Sequence, residues 1–141
     1  EIKAPLEVVE MEGWSRSMYF DATGIPFVMP SPNIPTLDSA IVYPGTVLFE
    51  GTTASEARGT TRPFELVGAP WVEAERFAQD MNARRLPGVH FRPAVFEPTF
   101  QKHAKQTCGG CQIHVLDRHT FRPVLTGAAL IDQIRAAGPK L

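Results

Sequence analysis

Hydrophobic and polar positions fall into two regimes along this chain. Up to residue 44 the apolar residues come in short bursts separated by turn formers. Ile2, Leu6, Val8, Val9 and Met11 predict one short strand over 6–11, and Asp21 to Gly24 reads as a turn. Pro26, Pro30, Pro32, Pro35 and Pro44 argue against any long helix in this part. The run from Met29 to Thr36 must be extended and stiff, because a residue before proline is pushed toward β or polyproline conformation. Residues 36–43 read as one helical turn entering a strand, and Val47–Phe49 as a short strand ending on Glu50.

The second regime is more periodic. After a loop of small and hydroxylated residues, a further apolar run leads to Pro70. A helix follows over 71–85, in which Ala74, Phe77, Ala78 and Met81 recur at helical spacing. Pro70 suits a first helical position, Glu73 and Glu75 oppose the positive end of the helix dipole, and Leu86-Pro-Gly ends the element. Val89–Phe96 reads as a strand, with Pro93 pointing to an edge or a bulge. Residues 97–105 read as a connecting loop, Gln112–Leu116 as another strand, and Asp117–Thr120 as a turn. Thr126 is the expected cap of a last helix with Leu130, Ile131, Ile134 and Ala137 on one face, stopped by Gly138-Pro139. Strands and helices mixed without strict alternation predict an α/β (α+β) architecture, a mixed sheet with helices packed on it.

Candidate chemistry concentrates in the ribbon from Thr46 to Pro70, which carries Glu50, Glu56, Arg58 and Arg62 among Thr, Ser and Gly. Such a loop offers many hydrogen bonds to a polyhydroxylated or carboxylated ligand. Equally, it reads as a solvated loop whose charges pair with one another. The proline-stiffened arm before it either serves a site or wraps a core. Glu50, Glu56, Glu65 and Glu97 supply carboxylates, and glycoside hydrolysis uses a pair of them, though sequence spacing does not fix their separation. His114 lies in Gln112-Ile-His-Val115, on the strand face opposite Ile113 and Val115, where it either points into a cleft or is a structural group. Cys108-Gly-Gly-Cys111 is half of a zinc set and sits at a strand rather than a helix start, so it reads as a tight Gly-Gly turn with buried thiols. There is no P-loop, nucleophile elbow or dinucleotide fingerprint.

Composition narrows the field only slightly. Hydrophobic residues make up 43% and charged residues 21% of the 141, with a formal net charge of -1, so no basic patch invites nucleic acid or an anionic membrane. No apolar run reaches the ~20 residues of a membrane span. The chain starts Glu-Ile-Lys-Ala-Pro, without an initiator Met or a signal-peptide pattern, and reads as the middle of something longer. No cofactor and no metal are expected.

Several runs, taken together, are more specific. Gly13-Trp-Ser-Arg-Ser-Met-Tyr-Phe, Met29-Pro-Ser-Pro-Asn-Ile-Pro-Thr, Tyr43-Pro-Gly-Thr, Phe49-Glu-Gly-Thr, the stretch Ser55 to Trp71 and Cys108-Gly-Gly-Cys-Gln-Ile-His-Val resemble, in order, the NamZ-type exo-β-N-acetylmuramidases. The resemblance covers nearly the whole chain. It implies a secreted or periplasmic glycoside hydrolase that releases N-acetylmuramic acid from the non-reducing end of peptidoglycan fragments. The family pairs a Rossmann-like domain, which bears the proposed catalytic carboxylate, with a smaller α/β domain. On that pattern residues 1–44 are the tail of the preceding domain and a connecting arm, and 45–141 are the smaller domain, cut short at its end. The implied partners are peptidoglycan fragments and the preceding domain. Carried over residue by residue, Ser31, Asn33, Thr52, Arg58, Thr60, Arg62 and His114 would contact substrate, and Glu50 and Glu56 are the catalytic candidates. Arg58 or Arg62 could hold the lactyl carboxylate in a bidentate fork, and Trp14, Tyr19 or Phe20 could face the sugar ring. The sequence departs from the pattern at Ala57, where the family usually has glycine, and at Cys111, where it has an aliphatic residue. The alternatives from other classes are a non-catalytic peptidoglycan- or glycan-binding module and a thiol-disulfide protein using the two cysteines.

Overall fold

The computed structural model describes residues 3–138; Ile2, counted with the first apolar run, and Pro139, expected past the last helix, lie outside them. Helix α1 spans Leu37–Thr46, strand β1 Leu66–Ala69, helix α2 Ala74–Ala83, strand β2 Val89–Phe96, strand β3 Cys108–Val115 and helix α3 Pro123–Ala137. The class is α/β, as expected, with helices packed on a three-stranded sheet, but that sheet is antiparallel rather than mixed. The sheet order is β1-β3-β2, and both pairings are antiparallel. Pro93 therefore sits in an edge strand, where its missing N–H breaks no ladder.

The region 36–49 differs most from its sequence pattern. In place of a strand at 47–49, α1 continues into a 3-10 turn over Val47–Gly51. Thr36 caps the helix, its Oγ1 accepting from the Ser39 backbone N–H at 3.1 Å. Pro44 lies inside the helix rather than ending it. Tertiary packing overrides the local signal, because α1 buries Ile41 and Val42 and crosses α3 at backbone contact. At that crossing a Cβ on Gly45 would stand 1.9 Å from Pro123 O, and one on Gly127 2.2 Å from Gly45 O. Only glycine allows so close an approach.

Glycines also explain Cys108-Gly-Gly-Cys111, which lies in the middle of β3 and is not a turn. A Cβ on Gly110 would lie 1.9 Å from Val67 O, and one on Gly109 2.0 Å from Val72 O. The strand thus begins four residues earlier than its apolar run suggests, because the pattern of side chains is silent where there are none. Helix α2 is shorter than expected: Pro70 and Trp71 remain outside it, and Glu73 caps it by accepting from the N–H groups of Glu75 at 2.9 Å and Arg76 at 2.7 Å. Helix α3 starts at Pro123, three residues before the expected cap, and Thr126 is buried within it. Residues 6–11 form no strand: Leu6, Val8, Val9 and Met11 are all exposed, and no described strand pairs with them.

Alternation along the strands divides the interior in two. Val67, Phe91, Cys111 and Ile113 face the main core with Phe77 and Met81 of α2 and Leu130 and Ile134 of α3. On the other face Leu66, Ala94, Phe96 and Cys108 pack with Ala57 of the ribbon. The proline-rich arm is pinned where Tyr19 donates its hydroxyl hydrogen to Arg118 O at 2.7 Å and Asp21 pairs with the Arg118 guanidinium.

Candidate functional site

The ribbon is built by short local bonds. Ser55 exchanges backbone hydrogen bonds with Gly68 at 2.8 and 3.0 Å, extending the edge beside β1. The Phe64 N–H then closes the loop onto Glu56 O at 2.8 Å. Within it Thr60 Oγ1 donates to Ala57 O at 2.8 Å and accepts from the Arg62 N–H at 3.2 Å. Thr52 Oγ1 likewise donates to Phe49 O at 2.9 Å and accepts from the Ala54 N–H at 3.2 Å. Both hydroxyls thus shape the backbone. Ala57 has φ 60°, so its backbone adopts the left-handed region that glycine favours, while its methyl fills the second apolar cluster.

On this frame four charges alternate. Arg58 pairs with Glu50 through Nη2, and its Nε donates to Glu56 Oε1 at 3.2 Å. Lys102 donates to Glu56 Oε2 at 3.0 Å, to Phe49 O at 2.6 Å and to Ala54 O at 3.1 Å. Glu56 is 2% exposed, and each of its oxygens receives a cationic donor, as a buried carboxylate requires. The Arg58 guanidinium lies 5.0 Å from the centre of the Phe64 ring. Burial works against the Arg58 charge, but hydrogen bonding and attraction from Glu50, then Glu56, outweigh it and its pKa is raised. Glu50, Glu56, Arg58, Gln101 and Lys102 line a concavity of about 280 Å³.

Glu50 and Glu56 therefore differ in what they can do. Both Glu56 oxygens are engaged, so its geometry suits holding Arg58 and Lys102 in place. Glu50 is exposed and uses one oxygen on Arg58, leaving Oε2 without a partner among the described residues. Lys102 went unnoticed in the sequence because residues 97–105 read as a mere connection. Its loop seats against the ribbon through Thr99, whose N–H and hydroxyl both donate to Gly59 O, at 3.1 and 2.9 Å. Gln101, His103 and Lys105 in it all have positive φ, a strain that no residue pattern announces.

The other candidate residues lie apart from this network. Arg62 and His114 line a second concavity of about 270 Å³ with Asp38, Glu65 and Gln112. There Glu65 is buried and accepts from Thr36 Oγ1 at 3.1 Å, Ser39 Oγ at 2.7 Å and Arg62 Nη1 at 3.1 Å. Ser31 and Asn33 bond to each other in the arm, Asn33 N–H to Ser31 Oγ at 3.3 Å, and share no hydrogen bond with the ribbon. Trp14 and Phe20 are exposed, and Tyr19 is spent on Arg118.

The cysteines are three positions apart on β3 and so face opposite sides of the sheet, in separate clusters. They are free thiols that cannot bridge without unfolding the strand. Burial pushes Cys108 up to about 11 and Cys111 higher still. This removes the thiol-disulfide alternative, since a reactive thiol needs a lowered pKa and exposure. Among the described residues no group of three or more His, Cys, Asp and Glu is placed to hold a metal ion.

Comparison with known proteins adds a context for this geometry. Residues 41–141 match the family described as "Exo-beta-N-acetylmuramidase NamZ, C-terminal", and residues 1–38 match its N-terminal counterpart. The chain is 50% identical over 139 residues to the peptidoglycan beta-N-acetylmuramidase NamZ of Bacillus subtilis (strain 168), covering 99% of this chain and 34% of that protein. A crystal structure of a DUF1343 family protein from Bacteroides fragilis NCTC 9343 superposes with a TM-score of 0.86 at 33% identity, covering 94% of this chain and 35% of the other. The chain thus spans about a third of the length of the relatives it matches.

Proposed function

The chain belongs to the NamZ exo-beta-N-acetylmuramidase family, and we propose that it forms one wall of a cleft that holds the terminal N-acetylmuramic acid of a peptidoglycan fragment. The observation that carries this is the Glu50–Arg58–Glu56–Lys102 network beside a concavity of about 280 Å³. A sugar ring presents hydroxyl and acetamido groups that both donate and accept. Glu50 offers a free carboxylate oxygen and Arg58 free guanidinium N–H groups to meet them. Because Glu56 locks Arg58 from beneath, the donors are held in place before the ligand arrives, which spares the entropy of ordering them.

In this reading Glu56 is a positioning residue, Glu50 is the acid/base candidate within the chain, and a second carboxylate comes from the preceding domain, as the family resemblance implies. The whole protein cleaves a glycosidic bond of peptidoglycan and releases N-acetylmuramic acid, in the secreted or periplasmic space where that polymer lies. The test is hydrolysis of a chromogenic β-glycoside of N-acetylmuramic acid by a full-length protein carrying this sequence. Arg58→Ala is expected to lower kcat/KM about 100-fold, on the order of 2.7 kcal/mol of lost transition-state stabilisation. Kinetics within threefold of wild type would remove the assigned role. Saturable binding of muropeptides with no cleavage by the full-length protein favours the glycan-binding module instead.

A further inference from the structure

The acidic group of the ligand needs its own partner, and the two arginines of the ribbon are not equally able to supply it. A carboxylate is best held by two parallel N–H donors on one edge of a guanidinium. In Arg58 the edge formed by Nε and Nη2 is already divided between Glu56 and Glu50. Among the described residues Arg62 spends only Nη1, on Glu65, and its side chain is 48% exposed, so its Nε/Nη2 edge meets no acceptor there. Arg62 also lines the second concavity, of about 270 Å³. In the same concavity His114 Nε2 is buried with no hydrogen-bond partner among the described residues, a state that costs free energy unless a water or a ligand satisfies it. Gln112 gives its carbonyl oxygen to Arg92 at 2.6 Å, which leaves its amide N–H groups available.

The local charge supports an anion better than the residue list suggests. Glu65 is buried and occupied by Arg62, Thr36 and Ser39. Asp38 is exposed and lies 3.8 Å from the Arg118 guanidinium. Among the described residues the Arg62 guanidinium and the Gln112 amide, from the ribbon and β3, keep N–H groups without an acceptor, and His114 Nε2 beside them has no partner. We propose that the Arg62–His114–Gln112 concavity is a carboxylate-binding subsite, and that it takes the lactyl carboxylate of a muramyl sugar. The identity of the carboxylate's bearer rests on the muramidase reading above; the donor geometry does not. The subsite selects muramyl over glucosaminyl ligands, because the lactyl ether is what distinguishes the two sugars.

The experiment is calorimetric binding to the full-length protein of three ligands: N-acetylmuramic acid, its methyl ester, and N-acetylglucosamine, which lacks the lactyl group. Wild type is expected to prefer the free acid over the ester by about tenfold or more, as one charge-assisted fork provides. Arg62→Ala is expected to bring that ratio within about twofold, while Arg58→Ala weakens all three ligands and keeps the ratio. His114→Phe leaves the Arg62–Glu65 pair intact and is expected to cut the preference about threefold, which separates loss of the subsite from loss of folding. A preference that survives both Arg62→Ala and His114→Phe overturns the assignment, as does a wild type that binds all three sugars alike. A wild type that binds none of them refutes the muramidase reading itself.

Discussion

Replacing Lys102 by Met keeps the length of the side chain and removes its charge, so the effect isolates what the ammonium does. Three acceptors lose the Lys102 ammonium: Glu56 Oε2 at 3.0 Å, Ala54 O at 3.1 Å and Phe49 O at 2.6 Å, the last of which keeps the Thr52 N–H and hydroxyl. Removing one partner of a fully buried ion pair costs about 3–5 kcal/mol. Here the loss is smaller, because the Lys102 side chain is 25% exposed and Arg58 still holds the other Glu56 oxygen. We expect ~2–3 kcal/mol, or a fall in Tm of ~8–12 °C for a domain of this size. The assay is thermal unfolding by far-ultraviolet circular dichroism at neutral pH. Lys105→Met serves as the control: Lys105 lies three residues on in the same loop, and its side chain is exposed and has no ion pair among the described residues. If the two variants melt together, Lys102 does not brace the ribbon. The double variant Lys102→Met/Glu56→Gln should lose about 1–2 kcal/mol less than the sum of the single changes, because the second removes the charge that the first strands.

Three further outcomes follow from the packing. Gly127→Ala sets a methyl 2.2 Å from Gly45 O between two backbones, so it should cost about 2 kcal/mol or more in urea unfolding; an unchanged midpoint would mean that the α1–α3 crossing is loose. Ala57→Gly should be near neutral in the same assay, since relief of the φ 60° conformation, on the order of 1 kcal/mol, is offset by about 0.8 kcal/mol for the lost buried methyl. Stability should fall as pH rises above about 9, because the cysteine thiols ionise there in the unfolded chain, while burial holds Cys108 up to about 11 and Cys111 higher in the folded one. The contribution is complete below the unfolded value and is lost toward the folded one, by up to about 1.4 kcal/mol per pH unit for each thiol. A Cys108→Ala/Cys111→Ala variant with the same alkaline slope as wild type would contradict it.

What was legible in the sequence depended on how local its cause was. Strand β2 matches its apolar pattern from Val89 to Phe96, and of the two readings of Pro93, an edge or a bulge, the sheet order bears out the edge. The α2 stripe of Ala74, Phe77, Ala78 and Met81 is buried as its spacing required. Glycine-mediated contacts left no such trace. Gly45 against Gly127, and Gly110 against Val67, are tertiary facts, and without them residues 36–49 look proline-broken and residues 108–111 look like a turn. The charged ribbon stood out by composition, and the structure joins Glu50, Glu56 and Arg58 there. It also separates Arg62 and His114 into another concavity, which residue spacing could not have told. Lys102, 46 positions beyond Glu56, is bound to it by folding alone.

The most direct measurement is a crystal structure of the full-length protein with N-acetylmuramic acid bound. The account predicts a sugar hydroxyl or acetamido group within hydrogen-bonding reach, about 3 Å, of the Glu50 and Arg58 side chains, with Glu56 still gripped by Lys102 beneath them. A sugar seated entirely among other residues, with Glu50 and Arg58 facing only water, would contradict it.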